Sequence, residues 1–345
     1  MKLEIQVLDS PLARPFTISR GTITSQRTVI VRLELLGVVG YGEVNESDYY
    51  GHKVESIVAS LKSVNREVES CSLASGDQLW KELNETLAGD LFALSALDMA
   101  AHDLFSKSAG QCCWETLGLS WGSPPPSSWT LSVGTPSQVV REFQLNPGWG
   151  IYKVKLGTSQ DLEVIAALRG HTDALIRVDA NCAWSSRETV EKSEALSQLG
   201  VEFIEQPLPA NAPPSEHKWV REESALPIIA DESCCVPADI ERCAELFHGV
   251  NIKLCKCGGL TPAVQMLQEA RSLGLRTMVG CMVESSIGIS AATQLLPLLD
   301  YCDLDGALLL ASDPAVGVTV EQGVVSRPRR AGCGGVLRDE TCFTM

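Results

Sequence analysis

The stretch YKVKLG, residues 152–157, contains two lysines that are separated by one valine and flanked by apolar residues. Side chains alternate across a strand, so Lys153 and Lys155 would share one face and the apolar residues the other. Two ammonium groups side by side repel each other, which favours loss of a proton from one of them. The pattern indicates either a lysine base on a buried strand or an ordinary exposed edge strand, and the flanking sequence has to decide.

From about residue 125 onward, short apolar runs alternate with amphipathic segments. The strands are predicted at 129–134, 151–157, 175–181, 201–207, 226–233, 249–254, 276–282 and 304–310. One intervening helix, TPAVQMLQEARSLG (261–274), would begin with Thr261 as its N-cap and end at Gly274. Eight strands that alternate with helices at this spacing predict a parallel β/α barrel rather than an open sheet.

The first 124 residues have a different pattern. VIVRLEL (29–35) alternates like a strand, and LFALSALDMAAHDLFSKS (91–108) predicts a long, mostly apolar helix. These segments indicate an α+β domain ahead of the barrel. The segment after about residue 315 has short β-like pieces and many glycines, and we expect it to pack onto this N-terminal domain.

Composition narrows the function classes. The chain has 345 residues, 45% of them hydrophobic and 21% charged, with a formal charge of −15 and 13 cysteines. Nucleic acid is not an expected partner, because there is no cluster of Lys and Arg for its phosphates. Without a long apolar run or a leader peptide, we expect no membrane partner and a soluble, cytoplasmic protein. An odd number of cysteines then favours free thiols over a disulfide framework.

Ionisable residues stand at the ends of successive predicted strands, where barrel enzymes carry out their chemistry. Lys155, Asp179, Glu205, Asp231 and Lys253 follow one another at intervals of 22 to 26 residues, about one β/α unit each. Any one of them could be a solvated loop residue or a helix cap, but five in register predict a single site at the mouth of the barrel.

Face parity refines this prediction. In GVNIKL, Asn251 and Lys253 would point into the barrel, whereas Lys256 falls beyond the strand and would be structural or exposed. Parity does not decide which of Asp231 and Glu232 faces inward. The pair Asp303 and Asp305 would precede or begin the eighth strand.

Three carboxylates without histidine or cysteine form a set of hard oxygen ligands, which favours Mg²⁺ over zinc. Lysines on the second and sixth strands would flank this cation from opposite sides of the barrel. A base next to a cation indicates removal of a proton α to a carboxylate or carbonyl, with the enolate held on the metal. A lysine on each side would permit removal from one face and return on the other.

The motifs K-x-K (153–155), VDAN (178–181), EQP (205–207), ADES (230–233) and NIK (251–253) resemble, in order and spacing, those of the muconate lactonizing enzyme subgroup of the enolase superfamily. The resemblance implies an α/β fold: a modified (β/α)7β TIM barrel (125–315), an α+β N-terminal capping domain (1–124), and a C-terminal segment (316–345) that completes the cap. It also implies the roles of the charged residues: Mg²⁺ ligands Asp179, Glu205 and Asp231, acid/base lysines Lys155 and Lys253, and Lys153 at the substrate carboxylate or enolate oxygen.

Within that subgroup the chain is most similar to the dipeptide epimerases, through GCMVES (280–285) and DLDG (303–306). The resemblance implies that Asp303 and Asp305 receive the α-ammonium group of a dipeptide. Contacts to its carboxylate end would fall near Thr130, Lys153 and Cys281. In PFTISRG (15–21), Arg20 would either meet an acidic second side chain or be a solvated loop residue.

The implied function is that of a Mg²⁺-dependent isomerase, a dipeptide epimerase that inverts the C-terminal residue of an L,L-dipeptide, with L-Ala-L-Glu as the first candidate. The alternatives are an o-succinylbenzoate synthase or a cycloisomerase of the same subgroup, and more remotely a non-catalytic binding protein on the same scaffold. The implied partner is a small-molecule dipeptide, and family members are commonly homo-oligomers.

Overall fold

The computed structural model describes residues 1–339 and residue 343, and the chain begins with an antiparallel sheet. The three strands of this sheet, in spatial order, are β1 (Lys2–Ile18), β2 (Gly21–Leu35) and β3 (Val38–Asn45). Five helices follow, which are α1 (Val54–Ser63), α2 (Asn65–Ser70), α3 (Gln78–Leu83), α4 (Leu91–Ala109) and α5 (Cys113–Thr116). Together these elements form the cap. The predicted strand at 29–35 and the predicted helix at 91–108 are confirmed in β2 and α4.

Helix α4 is the centre of the cap. The Asp90 carboxylate accepts a hydrogen bond from the Ala93 amide at the start of the helix, and Gly110 ends it in the left-handed conformation. Strand β3 lies directly on this helix, because a Cβ atom on Gly42 would overlap the Ala96 carbonyl. The glycine therefore permits a backbone-to-backbone approach that no other residue would allow.

Eight parallel strands then form one sheet whose spatial order follows the chain. They are β4 (Trp129–Leu131), β5 (Ile151–Lys155), β6 (Leu175–Asp179), β7 (Val201–Glu205), β8 (Ile228–Ala230), β9 (Gly249–Ile252), β10 (Arg276–Gly280) and β11 (Tyr301–Asp303). Ser127, just before β4, forms a parallel bridge with Cys302 of β11, so the sheet curls into a barrel. The predicted parallel barrel is confirmed.

The helices that accompany the barrel strands lie outside the sheet. They are α6 (Pro136–Leu145), α7 (Asp161–Arg169), α8 (Ser186–Gln198), α9 (Pro214–Glu223), α10 (Ile240–Leu246), α11 (Leu254–Cys257), α12 (Leu260–Ser272) and α13 (Ser286–Thr293). Among the described residues, no helix combines the length and hydropathy needed to cross a bilayer.

The prediction for the eighth strand was wrong. The strand is Tyr301–Asp303, and Gly306–Leu309 of the apolar run forms a 3₁₀ helix instead. Leu310 packs against Leu12 of β1, so the hydrophobicity of this run serves the contact with the cap and not the barrel wall. As a consequence, Asp303 ends the strand and Asp305 follows it, which places both at the mouth of the barrel.

The start of α12 also differs from its prediction. The helix begins at Leu260, one residue before the proposed N-cap Thr261. The Asp98 carboxylate of α4 accepts hydrogen bonds from the Thr261 amide (2.9 Å) and hydroxyl (2.6 Å). The capping group therefore comes from the cap, a contact that local sequence cannot reveal.

Below the mouth, apolar side chains fill the barrel. Phe203, Ile229 and Met278 are fully buried together, and Tyr301 packs against them. The Arg177 guanidinium lies over the rings of Phe203 and Tyr301, 5.3 Å and 4.9 Å from their centroids. This layer is a closed floor beneath the charged mouth.

The last segment forms short strands, which are β12 (Ala315–Val316), β13 (Val320–Glu321), β14 (Val324–Val325) and β15 (Val336–Leu337). Ala315 and Leu337 pack with Ile30 and Tyr41 of the cap sheet, as expected of a tail that docks on the N-terminal domain. The division of the chain at residues 124 and 315 stays a prediction. Positions 340–342 and 344–345 of the predicted last segment lie outside the described residues.

Candidate active site

The two lysines of YKVKLG lie in a strand that is buried along its whole length. Strand β5 pairs with β4 and β6 on its two sides, so the edge-strand alternative is wrong. Thr130 stands beside Lys153 in this register, and Asp179 stands beside Lys155. Both lysine side chains line the cavity at the barrel mouth.

The three predicted carboxylates converge at the same place. Asp179 and Glu205 end neighbouring strands and are paired in register, and Asp231 directly follows β8. All three are fully buried, and one oxygen of each lies within 4.8 Å of the others. We call them the mouth carboxylates.

Two lysines bind Asp179 and Asp231, the outer members of the mouth carboxylates. Lys155 Nζ donates to Asp179 Oδ2 at 2.7 Å, and Lys253 Nζ donates to Asp231 Oδ2 at 2.7 Å. These lysines come from the second strand and from the residue after the sixth strand of the barrel. They therefore approach the carboxylates from two different sides.

Lys153 contacts Glu205, the middle member of the mouth carboxylates. Its ammonium lies 2.6 Å from Glu205 Oε2 and 2.6 Å from Asp303 Oδ2. Neither contact has the direction of a hydrogen bond, so both buried oxygens lack a directed donor in the described part of the chain. Burial opposes the charge on Lys153, but Asp303, Glu205 and Asp179 outweigh burial and raise its pKa well above the usual value.

The carboxylates dominate the electrostatics of the site. Burial opposes the charge on Lys253, yet Asp231 outweighs it and raises the pKa of Lys253. Burial alone would raise the pKa of Asp231, but Lys253 and Lys256 hold it well below its usual value. Burial and the Asp179 charge raise the pKa of Glu205 to about 8. The repulsion between lysines that the sequence suggested is therefore outweighed in the protein itself.

The donor set fits a divalent cation. It consists of three carboxylate oxygens, which are hard ligands, and the buried Glu205 Oε2 has no directed hydrogen bond from the described residues. Zinc sites normally include histidine or cysteine, and this cluster contains neither. The residues therefore suit Mg²⁺.

Gln206 fixes the loop that carries Asp231. Its Oε1 accepts from the amides of Asp231 (2.9 Å) and Ser233 (3.1 Å), and its Nε2 donates to Ser233 Oγ. The residue adopts a left-handed backbone with φ of 33°, which is uncommon for a residue with a side chain. The sequence analysis used the EQP motif but assigned no role to this glutamine.

The DLDG aspartates stand at the end of β11 and just beyond it. Asp303 Oδ1 accepts from the Ser128 hydroxyl, and Asp305 Oδ2 accepts from the Thr130 amide at 2.7 Å. Burial and the Asp303 charge raise the pKa of Asp305 to about 6. Both aspartates line the cavity, and so do Thr130 and Cys281.

The cap contributes Arg20 to the same cavity, but this side chain already has partners. Its Nη2 lies 2.8 Å from Glu232 Oε1, and its guanidinium stacks on the Tyr49 ring at 4.2 Å from the centroid. Its Nη1 also donates to the Asn181 carbonyl at 3.1 Å. Arg20 is therefore not a solvated loop residue.

The cavity has a volume of about 710 Å³. It is lined by eight of the predicted residues, which are Arg20, Thr130, Lys153, Lys155, Lys253, Cys281, Asp303 and Asp305. The mouth carboxylates lie beneath the lysines. Sequence reasoning missed the lining residues Glu232, Tyr49 and Asn181; the ADES and VDAN motifs contained two of them.

Lys256 was expected to be structural or exposed, and the second alternative is wrong. It is 3% exposed, and its ammonium donates to Asp231 Oδ1 at 2.6 Å. A short helical turn, α11, folds it back beneath the site.

Comparison with known proteins places this geometry in a family. The family model described as mandelate racemase / muconate lactonizing enzyme, N-terminal domain matches residues 2–118, and the model described as enolase C-terminal domain-like matches residues 137–341. An L-Ala-D/L-amino acid epimerase of Flavobacterium johnsoniae is 44% identical over 98% of this chain and 100% of its own length.

Two further similarities agree. An L-Ala-D/L-Glu epimerase of Bacteroides thetaiotaomicron is 37% identical over 97% of this chain and 87% of its own length. The crystal structure of a dipeptide epimerase from Cytophaga hutchinsonii, complexed with Mg and D-Ala-L-Val, superposes with a TM-score of 0.92 at 26% identity, covering 99% of this chain and 96% of that one. The chain therefore belongs to the mandelate racemase / muconate lactonizing enzyme family of the enolase superfamily.

Proposed function

We propose that this protein is a Mg²⁺-dependent dipeptide epimerase that inverts the α-carbon of the C-terminal residue of an L,L-dipeptide, with L-Ala-L-Glu as the first candidate. The observation that carries the proposal is the arrangement of Lys155 and Lys253 in one cavity, each at 2.7 Å from an outer member of a buried carboxylate cluster. The names of the relatives support the same reaction type.

In this proposal, the mouth carboxylates Asp179, Glu205 and Asp231 hold the cation. When bound, Mg²⁺ would stabilise the negative charge that develops on the substrate carboxylate as the α-proton leaves. Lys153 would bind the same end of the substrate through its ammonium group.

The two other lysines would exchange protons with the substrate, one as a neutral amine that accepts the α-proton and the other as an ammonium that donates a proton. A bound divalent cation would offset the carboxylate charge that raises the pKa of Lys253, which favours its amine form. One of Lys155 and Lys253 removes the α-proton from one face, and the other returns a proton to the opposite face, which inverts the centre. Either lysine can start the reaction, since the two diastereomers present opposite faces. The same two lysines therefore catalyse the reaction in both directions.

The other end of the dipeptide would lie between Asp303 and Asp305, whose carboxylates suit an α-ammonium group. Thr130 and Cys281 would line the carboxylate end, and Arg20 the second side chain. Substrates of an o-succinylbenzoate synthase or a cycloisomerase have no ammonium group to balance two buried aspartates, so these activities are the weaker alternatives.

The test is proton NMR in D₂O with Mg²⁺ and a small set of L,L-dipeptides, including Ala-Glu, Ala-Phe and Ala-Lys. We expect the α-proton signal of the C-terminal residue to disappear while signals of the other diastereomer grow. N-acetyl-Ala-Glu, which lacks the ammonium group, serves as the matched control and should react at least 100-fold more slowly. If no dipeptide exchanges its α-proton for deuterium, the dipeptide proposal is refuted, and substrates of the succinylbenzoate type become the next to test.

We also propose a cytoplasmic location and a homo-oligomeric state. The family resemblance supports the homo-oligomeric state, and the composition of the chain supports the location.

A further inference from the structure

Each mouth carboxylate is held differently at its two oxygens. One oxygen meets a lysine of the cavity: Asp179 Oδ2, Glu205 Oε2 and Asp231 Oδ2 contact Lys155, Lys153 and Lys253. The other oxygen accepts from a donor behind it, namely the Asn181 amide, Asn251 Nδ2 or Lys256 Nζ. The same asymmetry at the ends of three different strands indicates that the rear donors share one structural role.

Lys256 is the charged member of the rear donors. Its three ammonium protons have three buried acceptors, which are Asp231 O (2.5 Å), Asp231 Oδ1 (2.6 Å) and Asn251 O (3.2 Å). The side chain does not line the 710 Å³ cavity and cannot reach a substrate there. Lys256 therefore fixes the main chain and one carboxylate oxygen of Asp231, and it also holds the main chain of Asn251.

Asn251 does the same for Glu205 without a charge. Its Nδ2 donates to Glu205 Oε1 at 2.9 Å, and it is fully buried inside the barrel. Gly280 on the neighbouring strand leaves the space for this amide, because a Cβ atom there would come within 2.8 Å of Nδ2. Gly280 thus lets the Asn251 amide hold Glu205 Oε1.

The burial of Lys256 agrees with this assignment. A buried lysine without such partners would destabilise the fold, since an ammonium is stable in the interior only when it is paired and hydrogen-bonded.

We propose that Lys256 and Asn251 are positioning residues for the cation site: each fixes one oxygen of Asp231 or Glu205, so that the opposite oxygen is presented to Mg²⁺. This inference rests on the cation site of the proposed function. It goes further in assigning the affinity for the ion to two residues that touch neither the ion nor the substrate.

The test measures Mg²⁺ binding to the purified protein by isothermal titration calorimetry, with the variants Asn251→Leu and Lys256→Met. Loss of an outer partner of a metal ligand weakens metal binding by about 10- to 100-fold, and we expect this rise in the Kd for both variants. The activity of both should recover at high Mg²⁺, so that the apparent Mg²⁺ requirement changes far more than kcat at saturation.

The sign of the Lys256→Met effect is informative. Removal of a nearby positive charge would by itself strengthen the binding of a cation. A weaker affinity would therefore support lost positioning over a loss of charge alone, and a tighter affinity would overturn the role of Lys256.

Gln294→Leu is the matched control for general damage. Gln294 is fully buried, donates to the Ser290 and Cys333 carbonyls, accepts from the Trp114 amide, and forms no hydrogen bond with a mouth carboxylate in the described part of the chain. Its loss should lower the Tm and leave the Kd for Mg²⁺ within twofold of the wild type.

The outcomes separate the two proposals. A wild-type protein that does not bind Mg²⁺ would refute the proposed function. A wild-type protein that binds, together with a folded Asn251→Leu variant whose Kd is unchanged, would refute only the positioning role. If Lys256→Met does not fold, because three buried acceptors each lose a donor, the neutral Asn251→Leu variant decides.

Discussion

Two sets of three buried carboxylates serve different ends in this molecule. The mouth carboxylates face the cavity, whereas Glu43, Asp98 and Asp103 join the cap to the barrel and to the C-terminal segment, and we call these the docking carboxylates. Both sets are buried to the same degree. Composition and burial therefore do not distinguish a reactive cluster from a structural one.

The difference lies in the partners. Both oxygens of every docking carboxylate accept from main-chain amides, hydroxyls or a local lysine: Glu43 from Ser285 and Gly288, Asp98 from Thr261, and Asp103 from Tyr41, Lys107 and Cys333. Each mouth carboxylate has one such fixed donor, and its second oxygen meets a lysine that lines the cavity. One side of the mouth set is thus held by ammonium groups that line the cavity, where a ligand can reach them.

The largest effect is expected from the cavity lysines. Lys155→Met and Lys253→Met should each reduce epimerisation by more than about 1000-fold, because one of the two faces loses its acid/base group. Each variant should still exchange the α-proton of one diastereomer in D₂O, which NMR can follow separately for the two isomers. Full epimerase activity in either variant would remove the two-base scheme.

A smaller effect, on stability alone, is expected from the docking set. Burial disfavours the charged form of His102, but the Asp98 charge and then Cys113 outweigh burial and raise its pKa to about 9. A raised pKa contributes stability that is fully present below the unfolded value of about 6.5 and is lost as the pH rises through about 9. We expect the His102 contribution to the free energy of unfolding to fall by on the order of 2 kcal/mol between pH 7 and pH 10. Cys113 opposes this change in the wild type, because contacts with Cys333 and His102 lower its pKa to about 6 and its contribution therefore grows as the pH rises.

The measurement is urea denaturation at several pH values, with His102→Gln as the comparison. This variant should lose most of that pH dependence, while its kcat at pH 7 stays near the wild-type value. An equal pH dependence in both proteins would show that His102 does not carry the effect.

The smallest effect concerns substrate preference at the cap. Glu232 Oε1 lies 2.8 Å from Arg20 and neutralises it, so an acidic substrate side chain meets an ion pair and not a free guanidinium. Glu232→Gln should raise the ratio of kcat/KM for Ala-Glu to that for Ala-Leu by about 3- to 10-fold, equivalent to about 1 kcal/mol. Unchanged or lower relative activity toward Ala-Glu would place Arg20 outside the acidic-side-chain contact.

The sequence predicted what local periodicity determines. The barrel, helix α4 and the convergence of Lys155, Asp179, Glu205, Asp231 and Lys253 follow from alternation and from the spacing of β/α units. These features repeat every 22 to 26 residues, so that a misjudged boundary of one or two positions does not change the outcome.

What the sequence did not predict depends on partners distant in the chain. The run at 304–310 looked like a strand, but Leu310 packs on Leu12 of the cap. Thr261 looked like an N-cap, but Asp98 caps the helix from 163 residues away. Lys256 fell outside the strand pattern, because the turn of α11 returns it to Asp231.

The closed floor of Phe203, Ile229, Met278 and Tyr301 has a consequence for turnover. Substrate and product differ only in the configuration of one carbon, and both must use the same doorway, between the barrel mouth and the β1–β2 hairpin of the cap. A fresh substrate cannot enter until the previous product has left. The product should therefore compete with the substrate for the same site, and the net rate should decline as the two diastereomers approach their equilibrium ratio.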